Sequence, residues 1–285
     1  MAERHRQQRA KPDVRRVALV HPGPSALNAA LVASLALVAG GEPTTAAFLA
    51  VAMLGFQFSI GALNDVVDVE ADRLTKPGKP MPAGLVSGRA AMVVVILGGS
   101  AGLVISAGFG TAVLILGALG YASGVAYDVS MRRRGLGWLC FAAAFPLLIA
   151  WTWVAVTDDL PPGWPFLLPM AALAGPTVHL ANSLVDVDLD DMTGGASLAT
   201  QLGLRRARPV LAGLVMLIYL LAWATLATAA TLSGGVLGMA LVATLAASLG
   251  VVLSWQEAPR AREAGWLLQA VGLASMAVAW LASMT

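Results

Sequence analysis

An acidic stripe of residues closes an apolar segment in the first third of the sequence. Asn64, Asp68 and Asp72 follow one another at intervals of four, so on a helix they stand one above another on a single face. Asp65 lies three residues before Asp68 and joins the same face. Carboxylates stacked in this way repel one another and weaken a helix. Because a bound cation would remove that repulsion, the spacing indicates a cation site.

The same spacing returns 118 positions later, again at the end of an apolar run, as Asn182, Asp186 and Asp190. Carboxylate and amide oxygens select a hard cation, and magnesium commonly binds through one or two carboxylates together with a substrate phosphate. The sequence therefore predicts a Mg²⁺ site built from two acidic stripes. His179 lies one turn before Asn182, and we expect it to face the same cavity in a supporting role. The three histidines and the single Cys140 are too scattered for zinc or haem.

Positively charged residues follow these stripes. The loop after the first stripe has three prolines and two glycines, which predicts an ordered non-helical segment, and it carries Lys76 and Lys79 close to the carboxylates. After the fourth apolar segment, Tyr127 precedes three arginines, and one arginine near Tyr127 could hold phosphate oxygens through two hydrogen bonds. Metal on one side and ammonium groups on the other suit a ligand with a phosphate-like charge.

The rest of the chain is too apolar for a soluble protein. Of its 285 residues, 58% are hydrophobic and 12% are charged, against roughly 25% charged in soluble domains. Membrane spans need about 20 apolar residues each, and we predict nine, near residues 25–41, 44–63, 90–108, 110–127, 137–157, 164–185, 209–230, 234–254 and 264–283. The predicted fold is an all-α integral membrane bundle, with a basic tail over residues 1–24 and one transmembrane domain over 25–285. The tail shows no cleavable signal sequence.

The placement of charge predicts the orientation. All 18 Lys and Arg fall in the N-terminal tail and in the loops after the second, fourth, sixth and eighth spans. The opposite loops carry Glu42, Asp158 and Asp159 and no Lys or Arg. By the positive-inside rule, the N-terminus and both acidic stripes face the cytoplasm. Four spans separate the stripes, so the chain reads as two parallel halves, about 25–127 and 137–254. A net charge of +2 gives no indication of nucleic acid.

At these motifs the chain resembles the UbiA-type intramembrane prenyltransferase superfamily. The matching segments are Asn64-Asp65-x2-Asp68-x3-Asp72, Asp186-x3-Asp190, the loop Lys79-Pro80-Met81-Pro82-Ala83-Gly84, and Tyr127-x4-Arg132. Lys79 stands where the family pattern has arginine. The nine predicted spans also agree with the family, so the resemblance covers nearly the whole chain.

The resemblance implies a helical bundle around a central apolar cavity, capped by cytoplasmic loops. A polyprenyl diphosphate would lie with its tail in the cavity and its diphosphate bridged by two Mg²⁺ ions. The implied metal ligands are Asn64, Asp68 and Asp72 for one ion and Asp186 and Asp190 for the other. Asp65, Asp68 and Asp186 are the expected catalytic carboxylates, Lys76, Lys79, Tyr127 and Arg132 the expected diphosphate-binding residues, and Asn182 and His179 their supporting neighbours.

The implied reaction is Mg²⁺-dependent transfer of the prenyl group to an aromatic, quinone-precursor or lipid acceptor by ionisation of the allylic diphosphate. It would take place at the cytoplasmic side of a bacterial or archaeal cell membrane. A terpene cyclase, which uses the same diphosphate without an acceptor, is the alternative. A transporter with inverted halves is a third reading, and the parallel halves speak against it. The sequence leaves the isoprenoid length and the acceptor open.

Overall fold

The computed structural model describes residues 18–188, 197–227 and 232–285, and within those ranges it contains helices and loops but no strand. In chain order the helices are α1 (Pro22–Val38), α2 (Pro43–Thr75), α3 (Gly88–Gly108), α4 (Thr111–Ala126), a π-helical turn (Tyr127–Met131), α5 (Gly137–Thr157), α6 (Trp164–Val185), α7 (Leu198–Leu202), α8 (Leu204–Leu226), α9 (Gly234–Ser254) and α10 (Pro259–Ala282). The all-α prediction is confirmed.

Seven of the described helices are long and apolar enough to cross a membrane. They are α2, α3, α4 with its π-helical turn, α5, α8, α9 and α10. Helix α1 is apolar but has 17 residues. Helix α6 has 22 residues, but it carries Pro169, Pro176, His179 and Asn182, which lower its hydropathy. The protein is an integral membrane protein, whereas the count of nine spans and the orientation remain predictions.

Helix α2 carries the first acidic stripe on its far end. It begins at Pro43, where a proline costs no hydrogen bond, and it runs for 33 residues to Thr75. At 1.5 Å per residue this is about 50 Å, well beyond the roughly 30 Å of hydrocarbon. The last turns therefore extend past the span and present the stripe. The helix ends before Pro77, because a proline disfavours helical geometry in the residue that precedes it.

Glycines allow consecutive helices to pack at backbone distance. A Cβ added to Gly55 in α2 would lie 2.7 Å from the carbonyl oxygen of Gly98 in α3, and one added to Gly98 would lie 2.6 Å from that of Gly55. Likewise, a Cβ added to Gly250 in α9 would lie 2.7 Å from the carbonyl oxygen of Gly265 in α10, and one added to Gly265 would lie 2.7 Å from that of Gly250. Small residues are what close helix contact requires in lipid. These contacts leave the larger side chains to line a cavity at the centre of the bundle.

Candidate active site

The central cavity has one polar end and one apolar end. Its volume is about 670 Å³, within the range of small-molecule sites. The apolar end is lined by Met53, Trp151, Leu167 and Trp280. The polar end is lined by His21, Asn64, Asp68, Asp72, Lys76, Lys79, Tyr127, Asp128, Arg132, Asn182 and Asp186. The structure thus brings the described parts of both stripes together with the cations of two loops.

Lys79 neutralises two carboxylates of the first stripe. Its Nζ donates hydrogen bonds to Asp72 Oδ2 at 2.7 Å and to Asp65 Oδ1 at 3.0 Å. His21 Nε2 lies 3.4 Å from the same oxygen of Asp65. Burial by itself would lower the pKa of Lys79, but its hydrogen bonds to Asp72 and Asp65 outweigh that effect and raise the pKa above the usual lysine value. Lys79 therefore stays charged. Asp65 is buried behind the cavity wall, so it supports Lys79 rather than facing the cavity.

Arg132 holds the middle of the first stripe. Its guanidinium donates a hydrogen bond to the carboxylate of Asp68, and its central carbon lies 5.9 Å from the centre of the Tyr127 ring, which is within cation–π range. Burial would lower the pKa of Arg132, and the bond to Asp68 outweighs it and raises the pKa. Tyr127 begins the π-helical turn and Arg132 caps its end. The Arg132 backbone N–H donates to the Tyr127 carbonyl at 3.0 Å. Such turns are frequent at functional sites.

Lys76 joins the two stripes. Its Nζ donates to Asp186 Oδ2 at 2.7 Å, across 110 residues of sequence. The loop after α2 is thereby tied to the end of α6. Asn182 lies one turn earlier on α6 and also faces the cavity. Asp190, the last predicted metal ligand, lies outside the described residues.

His179 does not face the cavity: it is buried and lies behind the residues that line it. Its ring packs edge-on against Tyr127, with 5.6 Å between centroids, and lies 4.8 Å from the ring centroid of Phe141. Tyr127 and Phe141 both line the cavity. His179 thus contacts two cavity residues from behind, and its role as a supporting neighbour stays a prediction.

Two partners of the stripes were not identified from the sequence. Asn64 Nδ2 donates to Asp128 Oδ1 at 2.9 Å, and Asp128 is buried beside Tyr127. The sequence did hold a signal for Asp128, because an ionisable residue directly next to a predicted span often has a functional role. Arg262, in the first turns of α10, is 2% exposed and its guanidinium donates to Asp188, between the two predicted ligands of the second stripe. A local sequence pattern cannot predict this contact, because Arg262 and Asp188 are 74 residues apart.

The donor set suits Mg²⁺ held jointly with a substrate. Within residues 18–188, 197–227 and 232–285, no three His, Cys, Asp or Glu side chains cluster closely enough to hold a metal on their own. The oxygens of Asn64, Asp68, Asp72 and Asp186 nevertheless share one end of the cavity. Because Mg²⁺ usually takes only one or two protein carboxylates and fills its remaining positions with water and phosphate oxygens, these residues fit the ion.

A membrane helix bundle around an apolar cavity, with carboxylates and cations at one end, defines an intramembrane enzyme for an amphiphile with an anionic head. The chain belongs to the UbiA prenyltransferase family, whose sequence model matches residues 26–271. The resemblance found in the motifs is thereby confirmed, and the protein is a prenyltransferase.

Relatives with names and structures agree with this assignment. Digeranylgeranylglyceryl phosphate synthase of Natronomonas pharaonis is 28% identical over 207 residues, which is 72% of this chain and 74% of that protein. A UbiA homolog from Archaeoglobus fulgidus bound to GPP and Mg²⁺ has a TM-score of 0.71 at 16% identity, covering 95% of this chain and 99% of the other. An apo UbiA homolog from Aeropyrum pernix K1 has a TM-score of 0.73 at 21% identity, covering 89% and 96%. At these identities the two structures show the shared fold.

Proposed function

We propose that the protein transfers the prenyl group of a prenyl diphosphate to a hydrophobic acceptor within the membrane, with Mg²⁺ at the polar end of the cavity. The observation that carries this proposal is the central cavity, with an apolar wall and a polar end that holds the described parts of both stripes and three cations. The Archaeoglobus fulgidus homolog with GPP and Mg²⁺ supports the choice of donor and ion.

The polar end offers separate sets of residues for the metal and the diphosphate. Lys76, Lys79 and Arg132 provide three cations for diphosphate oxygens, with Tyr127 beside Arg132. The oxygens available to Mg²⁺ are those of Asn64, Asp68, Asp72 and Asp186, with Asp190 added from the sequence motif. Each of these three cations contacts a carboxylate in the structure. Binding would therefore exchange partners, with the cations turning to phosphate and the carboxylates to metal.

The reaction follows from this division of charge. When the allylic carbon–oxygen bond breaks, negative charge grows on the leaving diphosphate, and the cations Lys79 and Arg132 stabilise it. Bound Mg²⁺ would supply further neutralisation of the same leaving group. The carbocation that remains lies in the apolar cavity, where water is excluded and where the π faces of Tyr127 and Phe141 favour positive charge. An electron-rich atom of the acceptor then bonds to that carbon, and the acceptor loses a proton.

The acceptor is the finer part of the proposal. Aromatic, quinone-precursor and lipid acceptors all fit the family. The relative from Natronomonas pharaonis is named as a synthase of a glyceryl phosphate lipid, which favours a lipid acceptor. A terpene cyclase would use the same polar end and differ only in needing no acceptor.

The test is diphosphate release by the purified full-length protein in lipid nanodiscs. Geranyl, farnesyl and geranylgeranyl diphosphate are each supplied with and without Mg²⁺, and with and without glyceryl phosphate lipid or aromatic acceptors. We expect Mg²⁺-dependent release that falls by about 10²–10³-fold in Asp68→Ala and in Asp186→Ala. Glu70→Ala is the matched control, because Glu70 lies on the same helix but pairs with Arg73 at the surface.

The outcomes separate the candidate functions. Release that an acceptor accelerates, with formation of a prenylated product, supports the transferase. Release with a cyclic hydrocarbon or alcohol as product and no effect of any acceptor supports the cyclase. If the wild type releases no diphosphate from any donor, the proposed function is wrong. Equal losses in Glu70→Ala and Asp68→Ala would contradict the assigned site.

A further inference from the structure

The depth of the cavity follows from the helices that line it. Along α2 the lining residues run from Met53 to Asp72; on α6 they run from Leu167 to Asn182, and Asp186 follows at the end of that helix. Met53 to Asp72 and Leu167 to Asp186 are each nineteen residues apart, or about 28 Å at the rise of an α-helix. The two helices therefore give the same distance between the polar end and the apolar end.

Two tryptophans close the apolar end. Trp151 of α5 is 2% exposed and Trp280 of α10 is 1% exposed, and both line the cavity. Trp151 is fixed by a hydrogen bond from its Nε1 to Ser106 Oγ at 3.1 Å, and Trp280 by one from its Nε1 to Thr225 Oγ1 at 2.8 Å. Large side chains anchored in this way make a rigid floor, so the cavity has a defined length.

We propose that this length admits a donor tail of about four isoprene units, the geranylgeranyl class, and that Gly120 of α4 is the residue that keeps the lower end of the cavity open. The inference rests on the proposed function for the nature of the ligand. An isoprene unit adds four carbon–carbon bonds along the chain, about 5 Å when extended. The diphosphate beside Arg132 and Lys79 would lie level with their partners Asp68 and Asp72. It would take the top turn of about 6 Å and leave about 20 Å above the floor, which is the length of four units.

Gly120 differs from the other glycines that α4 turns towards the cavity. A Cβ on Gly117 would lie 2.9 Å from a neighbouring side-chain oxygen, and one on Gly124 would lie 2.3 Å from Ile60 Cδ1. Those two positions are glycine because neighbouring side chains need the space. A Cβ on Gly120 would meet only Leu147 Cβ at 3.9 Å, an ordinary contact. The free space at Gly120 belongs to the cavity, so a larger side chain there would take it from the ligand.

The height of Gly120 sets what such a side chain would block. It lies twelve residues before Arg132, about 18 Å below the level at which the diphosphate would bind. That distance is between three and four isoprene units. Gly120→Leu should therefore leave room for a geranyl tail and obstruct the last unit of a geranylgeranyl tail.

The experiment measures tail length by binding, with and without turnover. Geranyl, farnesyl and geranylgeranyl S-thiolodiphosphates, whose leaving group is cleaved very slowly, are titrated calorimetrically with Mg²⁺ into the wild type, Gly120→Leu and Gly238→Leu. The last is the matched control: Gly238 is exposed on α9, outside the cavity lining, and no other described residue comes within 4 Å of its added Cβ. Diphosphate release from the natural donors is measured on the same preparations.

In the wild type, affinity should rise by about tenfold or more from geranyl to geranylgeranyl, because each added unit buries apolar surface. In Gly120→Leu, geranyl binding should stay within about threefold of wild type and geranylgeranyl binding should fall by about tenfold or more. Gly238→Leu should match the wild type. The normal geranyl affinity of Gly120→Leu also shows that the variant is folded, and if it is lost, Gly120→Val repeats the test with less bulk.

Two results would overturn the inference: equal binding of all three tails by the wild type, or geranylgeranyl affinity in Gly120→Leu and Gly120→Val equal to wild type. Failure of the proposed function looks different. In that case the wild type binds the analogues with the predicted preference for tail length but releases no diphosphate from the natural donors. The inference on tail length would then stand and the proposed reaction would fall.

Discussion

Replacement of Lys79 by methionine tests whether the polar end depends on its internal ion pairs. Methionine keeps the length and apolar stem of lysine and removes only the ammonium group. Asp65, which is 1% exposed, would then lose its principal cation. Asp72 would lose the same partner. We expect the variant to be less stable and less active, whereas Lys79→Arg, which keeps the charge, should retain most of the stability.

The size of the stability loss follows from the geometry. Two unit charges 3.0 Å apart attract each other by about 5 kcal/mol at an effective dielectric constant of about 20. The side chain of Lys79 is 23% exposed, and the cost of desolvating both charges offsets a large part of the attraction. His21, 3.4 Å from Asp65, compensates a further part. The net loss should be about 2–3 kcal/mol, which corresponds to a fall of about 5–10 °C in the unfolding midpoint.

Thermal unfolding in one detergent, followed by tryptophan fluorescence, measures this effect. The double variant Asp65→Asn/Lys79→Met serves as the internal control, because it removes the buried charge that the single change leaves uncompensated. We expect the double variant to regain about half or more of the lost stability. If the two changes simply add, the ion pair between Asp65 and Lys79 does not stabilise the fold.

Three further predictions concern other contacts. Asp188→Asn should destabilise by about 1–3 kcal/mol and more than Arg262→Met, because it leaves the buried guanidinium unneutralised; denaturant titration would rank the two. Gly98→Val should cost about 1–3 kcal/mol because its Cβ would lie 2.6 Å from the Gly55 carbonyl oxygen, and an unchanged midpoint would contradict that close approach. Since the pKa of Lys79 is raised above 10.5, its stabilising contribution is complete below that pH and is lost as pH rises through the raised value. The difference in midpoint between the wild type and Lys79→Met should therefore shrink in strongly alkaline buffer.

Local spacing was sufficient to predict the elements and the position of the stripes. Intervals of four residues place Asn64, Asp68 and Asp72 on one face of any α-helix, and the structure has them on α2, lining one cavity. Helix α2 is longer than the predicted membrane span, which stops at residue 63, where hydrophobicity ends. Polar residues keep helical hydrogen bonds in water, so the helix continues through the stripe to Thr75.

Partners that are distant in sequence could not be predicted, because they depend on how the helices pack. Lys76 follows the first stripe directly, and the sequence suggested that it serves those carboxylates. It contacts Asp186 of the second stripe instead. His179 shows the same limit. Its spacing from Asn182 gave its face of α6, but the rings of Tyr127 and Phe141, brought by other segments, lie between it and the cavity.

The pairing of every described stripe carboxylate with a cation makes the polar end resemble a small ion exchanger. Asp65 and Asp72 share Lys79, Asp68 holds Arg132 and Asp186 holds Lys76. If Mg²⁺ and diphosphate bind at this end as proposed, each would displace one half of these pairs, so opposite charges would arrive together and little net charge would accumulate in the membrane. On release of diphosphate, the same lysines and arginine would return to the carboxylates. The protein thus supplies its own counter-ions: in the resting site the cations neutralise the carboxylates, and in the proposed cycle they would neutralise the diphosphate.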